Sequence, residues 1–239
     1  MPIHTVFVAN RAEIARRVFR TARRMGLRTV AVASEADRDL PHAREADRAV
    51  LLEGPSEVGA TYLDGDRMIA AARRAGADAV HPGYGFLAEN EAFAEAVIAA
   101  GLTWIGPPPA AIRAMGDKAA ARKVAVEHGV DVVPGFDASQ DEGELVAAAE
   151  RVGFPVLIKA TAGGGGRGMR RVDSADELPE ALRSARREAL AAFGSAAVIL
   201  ERYVTGPRHL EVQIIADAHG NVVALGEREC SIQRRHQKV

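Results

Sequence analysis

Two textures of apolar and polar positions divide the chain. In the first half, short apolar runs alternate with amphipathic stretches. Residues 5–9, TVFVA, and 28–34, RTVAVAS, read as buried strands. Between them, residues 12–26 place Ile14, Val18, Ala22 and Met25 on one helical face, with arginines elsewhere and Gly26 at the end. The pattern then predicts a helix over 68–77, a strand over 78–85 that leaves into a loop, a helix over 90–101 and a strand over 102–106. Strands alternating with helices predict a doubly wound, Rossmann-like parallel sheet, whose ligands gather at the carboxyl ends of its strands. Three prolines, 107–109, mark a boundary, and a linking helix is expected over 110–129.

After Val133 the texture changes. A helix over 139–153 carries acidic residues in its first turn, and FPVLIKA, 154–160, is a strand. Ser174 and Glu177 form a Ser-x-x-Glu capping pattern ahead of a long helix reaching 194. A strand follows over 197–204. Residues 208–217 alternate, with Leu210, Val212 and Ile214 on one face and His209, Glu211 and Gln213 on the other. A turn at 218–221 returns an antiparallel strand over 222–230. This half reads as α+β. The boundaries expected are 1–109, a linker helix 110–133, a subdomain 134–204, and the start of a further lobe over 205–239.

Composition narrows the class. Hydrophobic residues make up 48% and charged residues 26%, with a net charge of −1, which argues against nucleic acid or a charged membrane surface as a bulk partner. The single cysteine, Cys230, excludes an internal disulfide or a thiolate metal cluster and reads as a buried small side chain. No run approaches the ~18 apolar residues of a membrane span, and the N-terminus lacks a signal-peptide pattern. A cytoplasmic setting is expected.

Candidate chemistry centres on PVLIKATAGGGGRGM, residues 155–169. Glycines there expose successive backbone N–H groups, a nest suited to phosphate oxygens, and Lys159 and Arg167 flank it with positive charge. A flexible linker or hairpin tip is the plain alternative. No Gly-Lys-Ser/Thr follows, so it is not a Walker A loop. In LERYVTGPRHLEVQI, the polar face of His209, Glu211 and Gln213 either lines a ligand groove or is solvated. The basic run ending the chain, Arg228 to Lys238, reads by itself as solvated surface. HPGYGFLAEN, 81–90, reads as a tight turn after a strand with Tyr84 and Phe86 packing, and Trp104 as core.

HPGYGFLAEN, MGDK (115–118), KATAGGGGRGM (159–169), ERY (201–203), RHLEVQ (208–213) and ERECSIQRRHQKV (227–239) occur in one order. Together they resemble the biotin carboxylase component of biotin-dependent carboxylases, as in bacterial acetyl-CoA and propionyl-CoA carboxylase alpha subunits. The resemblance covers essentially the whole chain. It implies an ATP-grasp ligase in which ATP and bicarbonate form carboxyphosphate and the carboxyl group passes to biotin. It also implies Mg²⁺, a biotin carrier domain or protein, a carboxyltransferase subunit and a homodimer. By resemblance, Lys118 and Lys159 hold ATP phosphates, and Gly165 and Gly166 belong to a glycine lid. Glu201, Arg202, Tyr203 and Val204 pass the adenine. His209, Gln233 and His236 lie near ribose and phosphates, and Lys238 faces the bicarbonate and carboxyphosphate site. The magnesium ligands of the family lie beyond RRHQKV, so no metal ligand is assigned here. The 239-residue chain alone is therefore expected to bind nucleotide without carboxylating biotin, and the strands over 208–230 to leave an edge and an apolar face uncovered.

Two positions depart from the family. Ala12 stands where NRGEI is usual, which costs about 1 kcal/mol if that backbone needs φ > 0. Ala162 replaces a common glycine. A non-catalytic nucleotide-binding or interaction module is the alternative reading. Another ATP-grasp ligase, of carbamoyl-phosphate or purine-pathway type, is a second, against which SIQRRHQK argues.

Overall fold

The computed structural model describes residues 2–162, 169–234 and the backbone of 237–238. The chain forms two compact units, residues 1–113 and 114–239.

The first unit runs β1 (Thr5–Val8), α1 (Ala12–Arg24), β2 (Arg28–Ser34), α2 (Pro41–Glu45), β3 (Arg48–Leu52), α3 (Gly65–Arg74), β4 (Ala79–His81), α4 (Glu91–Ala99) and β5 (Thr103–Trp104). Helix α5 (Pro109–Gly116) follows. The five strands make one parallel sheet in the order β3-β2-β1-β4-β5. Strand β1 is buried at every position, Thr5 included, because both of its faces are covered. Phe7, Val30, Val32, Val50 and Val80 pack with Met68 and Ala71 of α3 and Phe93 and Val97 of α4. Val6, Val8 and Ala31 face the other way, onto Ala15 and Phe19 of α1. The doubly wound sheet expected from the pattern is present.

The second unit opens with α6 (Lys118–Glu127), then β6 (Gly135–Phe136), α7 (Glu142–Val152), β7 (Val156–Ala160), β8 (Met169–Val172), α8 (Leu178–Phe193) and β9 (Val198–Arg202). Its four-stranded antiparallel sheet has the order β6-β9-β7-β8. Val156 and Ile158 of β7 and Val198 and Leu200 of β9 meet Leu145 of α7 and Leu178 and Leu182 of α8. Strand alternation therefore turns Leu157, Lys159 and Glu201 to the opposite face of the sheet. A hairpin of β10 (Leu210–Ala216) and β11 (Val222–Glu229) and the short pair β12 (Gln233–Arg234) and β13 (Gln237–Lys238) complete the unit.

Several expectations need correction. The linking helix over 110–129 is two helices, because the Asp117 side chain accepts from Ala120 N (2.9 Å) and caps a fresh start at Lys118. Ser174 does not cap α8. That helix begins at Leu178 with Pro179 in its first turn, and Glu177 instead accepts from Asp173 N at 3.3 Å. The strand over 102–106 shrinks to two residues, and Trp104 is half-buried, edge-on to Phe93 at 5.7 Å. Pairing of β10 with β11 slips between Val212 and Ile214, placing an extra residue in β11 near Gly226, whose φ is +102°. Leu210, Val212, Ile214 and Ile215, with Val222, Val223 and Leu225 opposite, are exposed, so the hairpin carries the uncovered apolar surface expected of it.

Candidate functional site

In the first unit, residues gather at the carboxyl ends of β1 and β4, where the strand order reverses. Asn10 is buried, and its amide donates to Pro82 O and Tyr84 O, both at 2.8 Å. Gly83 passes so close that a Cβ there would lie 2.8 Å from Asn10 Nδ2, and its φ is +67°. His81 Nδ1 accepts from Gly83 N at 2.9 Å, and burial pushes its imidazole pKa down, favouring the neutral acceptor. HPGYG is thus a tight turn, as read from sequence. Phe86 stacks on Tyr62 at 5.4 Å, whereas Tyr84, expected to pack, is 62% exposed and donates to Glu13.

Beside this turn, Arg11 pairs with Asp37 at 2.9 Å and lies over the Tyr62 ring at 5.3 Å. Tyr62 Oη donates to Asp37 (2.6 Å) and accepts from Ser34 N (2.9 Å). Burial pushes the Asp37 carboxyl up, but the hydrogen bond from Tyr62 and the Arg11 guanidinium outweigh it and hold it below the usual range. Burial, with Asp37 as acceptor, pushes the Tyr62 phenol up to about 12. Ala12, the next residue, has φ +55°. The backbone at this departure from NRGEI is therefore left-handed, and alanine bears the strain that glycine avoids.

In the second unit, Lys118 meets Thr161, just past the end of β7, the strand that carries Lys159. The Asp117 cap puts Lys118 first in α6, where its backbone N donates to Thr161 O at 3.2 Å and its Nζ lies 3.5 Å from the same oxygen. Lys159 stands two residues before Thr161. In the β7–β9 register Lys159 faces Ile199 and Glu201 faces Leu157, so the two charged residues are diagonal neighbours on one face. Lys159 Nζ pairs with Glu201 Oε2. The other Glu201 oxygen accepts from Arg122 at 3.3 Å, and Arg122 also donates to Val133 O (2.8 Å) and Asp137 (3.3 Å). Arg122 and Asp137 were not singled out from sequence. The spacing of Lys118 and Arg122, one helical turn apart, was the signal present.

Of the expected adenine segment, the Arg202 and Tyr203 N–H groups are already engaged, by Pro134 O (2.8 Å) and Pro155 O (2.9 Å), while the Val204 side chain is exposed. The Tyr203 ring lies 4.6 Å from the Arg171 guanidinium. His209 and Gln233 form a second group: Gln233 Nε2 lies 3.0 Å from His209 Nδ1 and donates to Cys230 O at 3.0 Å. Ser231 and Arg208 hydrogen-bond the Glu229 carboxylate and hold its pKa down at about 2, fixing the turn that carries Gln233. Cys230 is buried, as expected. Lys238 pairs in register with Gln233. Gly165, Gly166, Arg167 and His236 lie outside the described residues. Among the described residues, no group of three or more His, Cys, Asp or Glu side chains is placed to hold a metal ion. None of their helices is long and apolar enough to cross a membrane.

Comparison with known proteins shows the family. The family described as "Carbamoyl-phosphate synthase L chain, ATP binding domain" matches residues 117–239, and "Biotin carboxylase, N-terminal domain" matches residues 2–112. A parallel α/β unit followed by such a domain defines an ATP-grasp protein. The chain belongs to the biotin carboxylase family. It is 50% identical to the biotin carboxylase of Haemophilus influenzae, with 99% of this chain and 53% of that protein covered. It is 52% identical to the mitochondrial methylcrotonoyl-CoA carboxylase subunit alpha of Glycine max, covering 99% of this chain but 32% of that protein. The chain thus spans about half, or less, of these relatives' lengths. Among solved structures, the biotin carboxylase domain dimer of Hydrogenobacter thermophilus 2-oxoglutarate carboxylase, in complex with MgADP, ADP and bicarbonate, superposes with a TM-score of 0.94 at 45% identity. That match covers 100% of this chain and 52% of that one.

Proposed function

We propose that the chain provides the N-terminal domain and the phosphate-gripping part of a biotin carboxylase, which uses ATP and bicarbonate to carboxylate biotin through carboxyphosphate. The carrying observation is that Lys118 meets Thr161, two residues past Lys159 on the way into the glycine run. Two ammonium groups there suit the β- and γ-phosphates, whose charge must be held while the phosphoryl group moves. His209 and Gln233, already hydrogen-bonded to each other, serve the ribose and phosphates, and the backbone of Glu201–Val204 serves the adenine edge. Lys238 serves the bicarbonate. The step assigned to these residues is binding and orienting ATP.

A homodimer, a biotin carrier and a carboxyltransferase partner accompany this reading, in a cytoplasmic setting. The dimer is supported by the Hydrogenobacter relative. The test is ADP release from ATP and bicarbonate by the natural protein carrying this chain, with and without biotin. Biotin-stimulated release is expected. ATP binding without biotin-dependent release supports a nucleotide-binding module instead.

A further inference from the structure

Lys159 is held by a carboxylate that it must leave in order to grip a phosphate. The Glu201 side chain is 12% exposed and Lys159 24%. A carboxylate so enclosed is strongly disfavoured once its cation departs. Arg122, 16% exposed, contacts the same carboxylate at 3.3 Å and is itself fixed by Val133 O at 2.8 Å and Asp137 at 3.3 Å. Its guanidinium offers several donors in a planar fork, so it serves Glu201, Asp137 and a carbonyl together. Lys159, on its flexible stem, is the partner able to swing away.

We propose that Arg122 is a positioning residue for nucleotide binding: it keeps Glu201 compensated while the Lys159 ammonium transfers from Glu201 to a phosphate of the nucleotide. Glu201 holds Lys159 until nucleotide binds, and Arg122 lowers the cost of its release. This rests on the reading above that Lys159 meets the phosphates. Arg122 touches no nucleotide and acts through Glu201.

The test is a mutant cycle on ADP affinity, measured by calorimetric titration of the purified chain. Arg122→Gln, which can still donate to Val133 O, is expected to weaken ADP binding about tenfold, the scale of coupling within one charged network. Arg122→Lys, which restores the charge, is expected to recover most of the loss. In a Glu201→Gln background there is no carboxylate to compensate, so Arg122→Gln is expected to change affinity less than about twofold. An equal loss in both backgrounds, or no rescue by lysine, means a purely structural role and overturns the proposal. Unchanged affinity in Arg122→Gln overturns it as well. Wild-type chain that binds no ADP removes the nucleotide-site reading, and the proposal with it, whereas wild-type binding without the coupling removes only the proposal. If Arg122→Gln does not fold, Arg122→Lys carries the comparison: it is expected to change ADP affinity less than about twofold from its own parent in both the wild-type and the Glu201→Gln backgrounds, and a loss of similar size in both overturns the role.

Discussion

Ala12→Gly is predicted to stabilise the protein. Ala12 has φ +55° at the start of α1, directly after Arg11, whose guanidinium is committed to Asp37 and the Tyr62 ring. The chain therefore cannot relax this backbone without giving up that pair. A left-handed conformation costs an L-residue about 1–2 kcal/mol. Glycine removes this strain but takes back about 0.5–1 kcal/mol through its greater freedom in the unfolded chain. Taking the middle of each range, the net gain is about 0.75 kcal/mol, or roughly 1.5–3 °C in Tm for a chain of this size. Differential scanning calorimetry of wild type and variant measures it. Ala15→Gly is the control: it lies in the same helix, is fully buried and carries no positive φ. It is predicted to lose about 1 kcal/mol or more. An unchanged or lower Tm for Ala12→Gly would refute the strain argument.

Other predictions follow from the same unit. Gly83→Ala combines a positive φ with a Cβ 2.8 Å from Asn10 Nδ2, so a loss of more than about 1 kcal/mol is expected in chemical denaturation. Tyr62→Phe leaves the Asp37 carboxylate and the Ser34 N–H each short of a partner, for a loss of about 1–3 kcal/mol. His42 is fully buried, donates from Nε2 to Val32 O (3.2 Å) and has an unpartnered Nδ1. Burial lowers its folded pKa, so the folded state favours neutral imidazole. Its contribution is present above the unfolded value and declines as pH falls below about 6.5. Stability measured from pH 7.5 to 5 should therefore decline less steeply in His42→Gln than in wild type.

The parallel sheet was legible in sequence because its strands are buried on both faces and so read as unbroken apolar runs. Strands that tertiary pairing alone defines were not. Edge strand β8 is Met-Arg-Arg-Val, and only its antiparallel register with β7 makes it a strand. Edge strand β3 lies between charged segments and carries the same ambiguity. The break between α5 and α6 was written in Asp117, a residue whose capping preference competes with the apolar pattern on either side. At the site, lysines beside a glycine run were recognisable by type. The part played by Arg122 was not, because it depends on a helix and two strands from distant segments meeting at one carboxylate.

The central claim is that Lys118 and Lys159 grip the phosphates of ATP. The most direct measurement is ATP affinity of the wild-type chain against Lys118→Met and Lys159→Met, by calorimetric titration with folding checked by circular dichroism. Each loss of a charged hydrogen bond to phosphate is predicted to weaken binding by about 10–100-fold. Wild-type affinity in both variants would contradict the account.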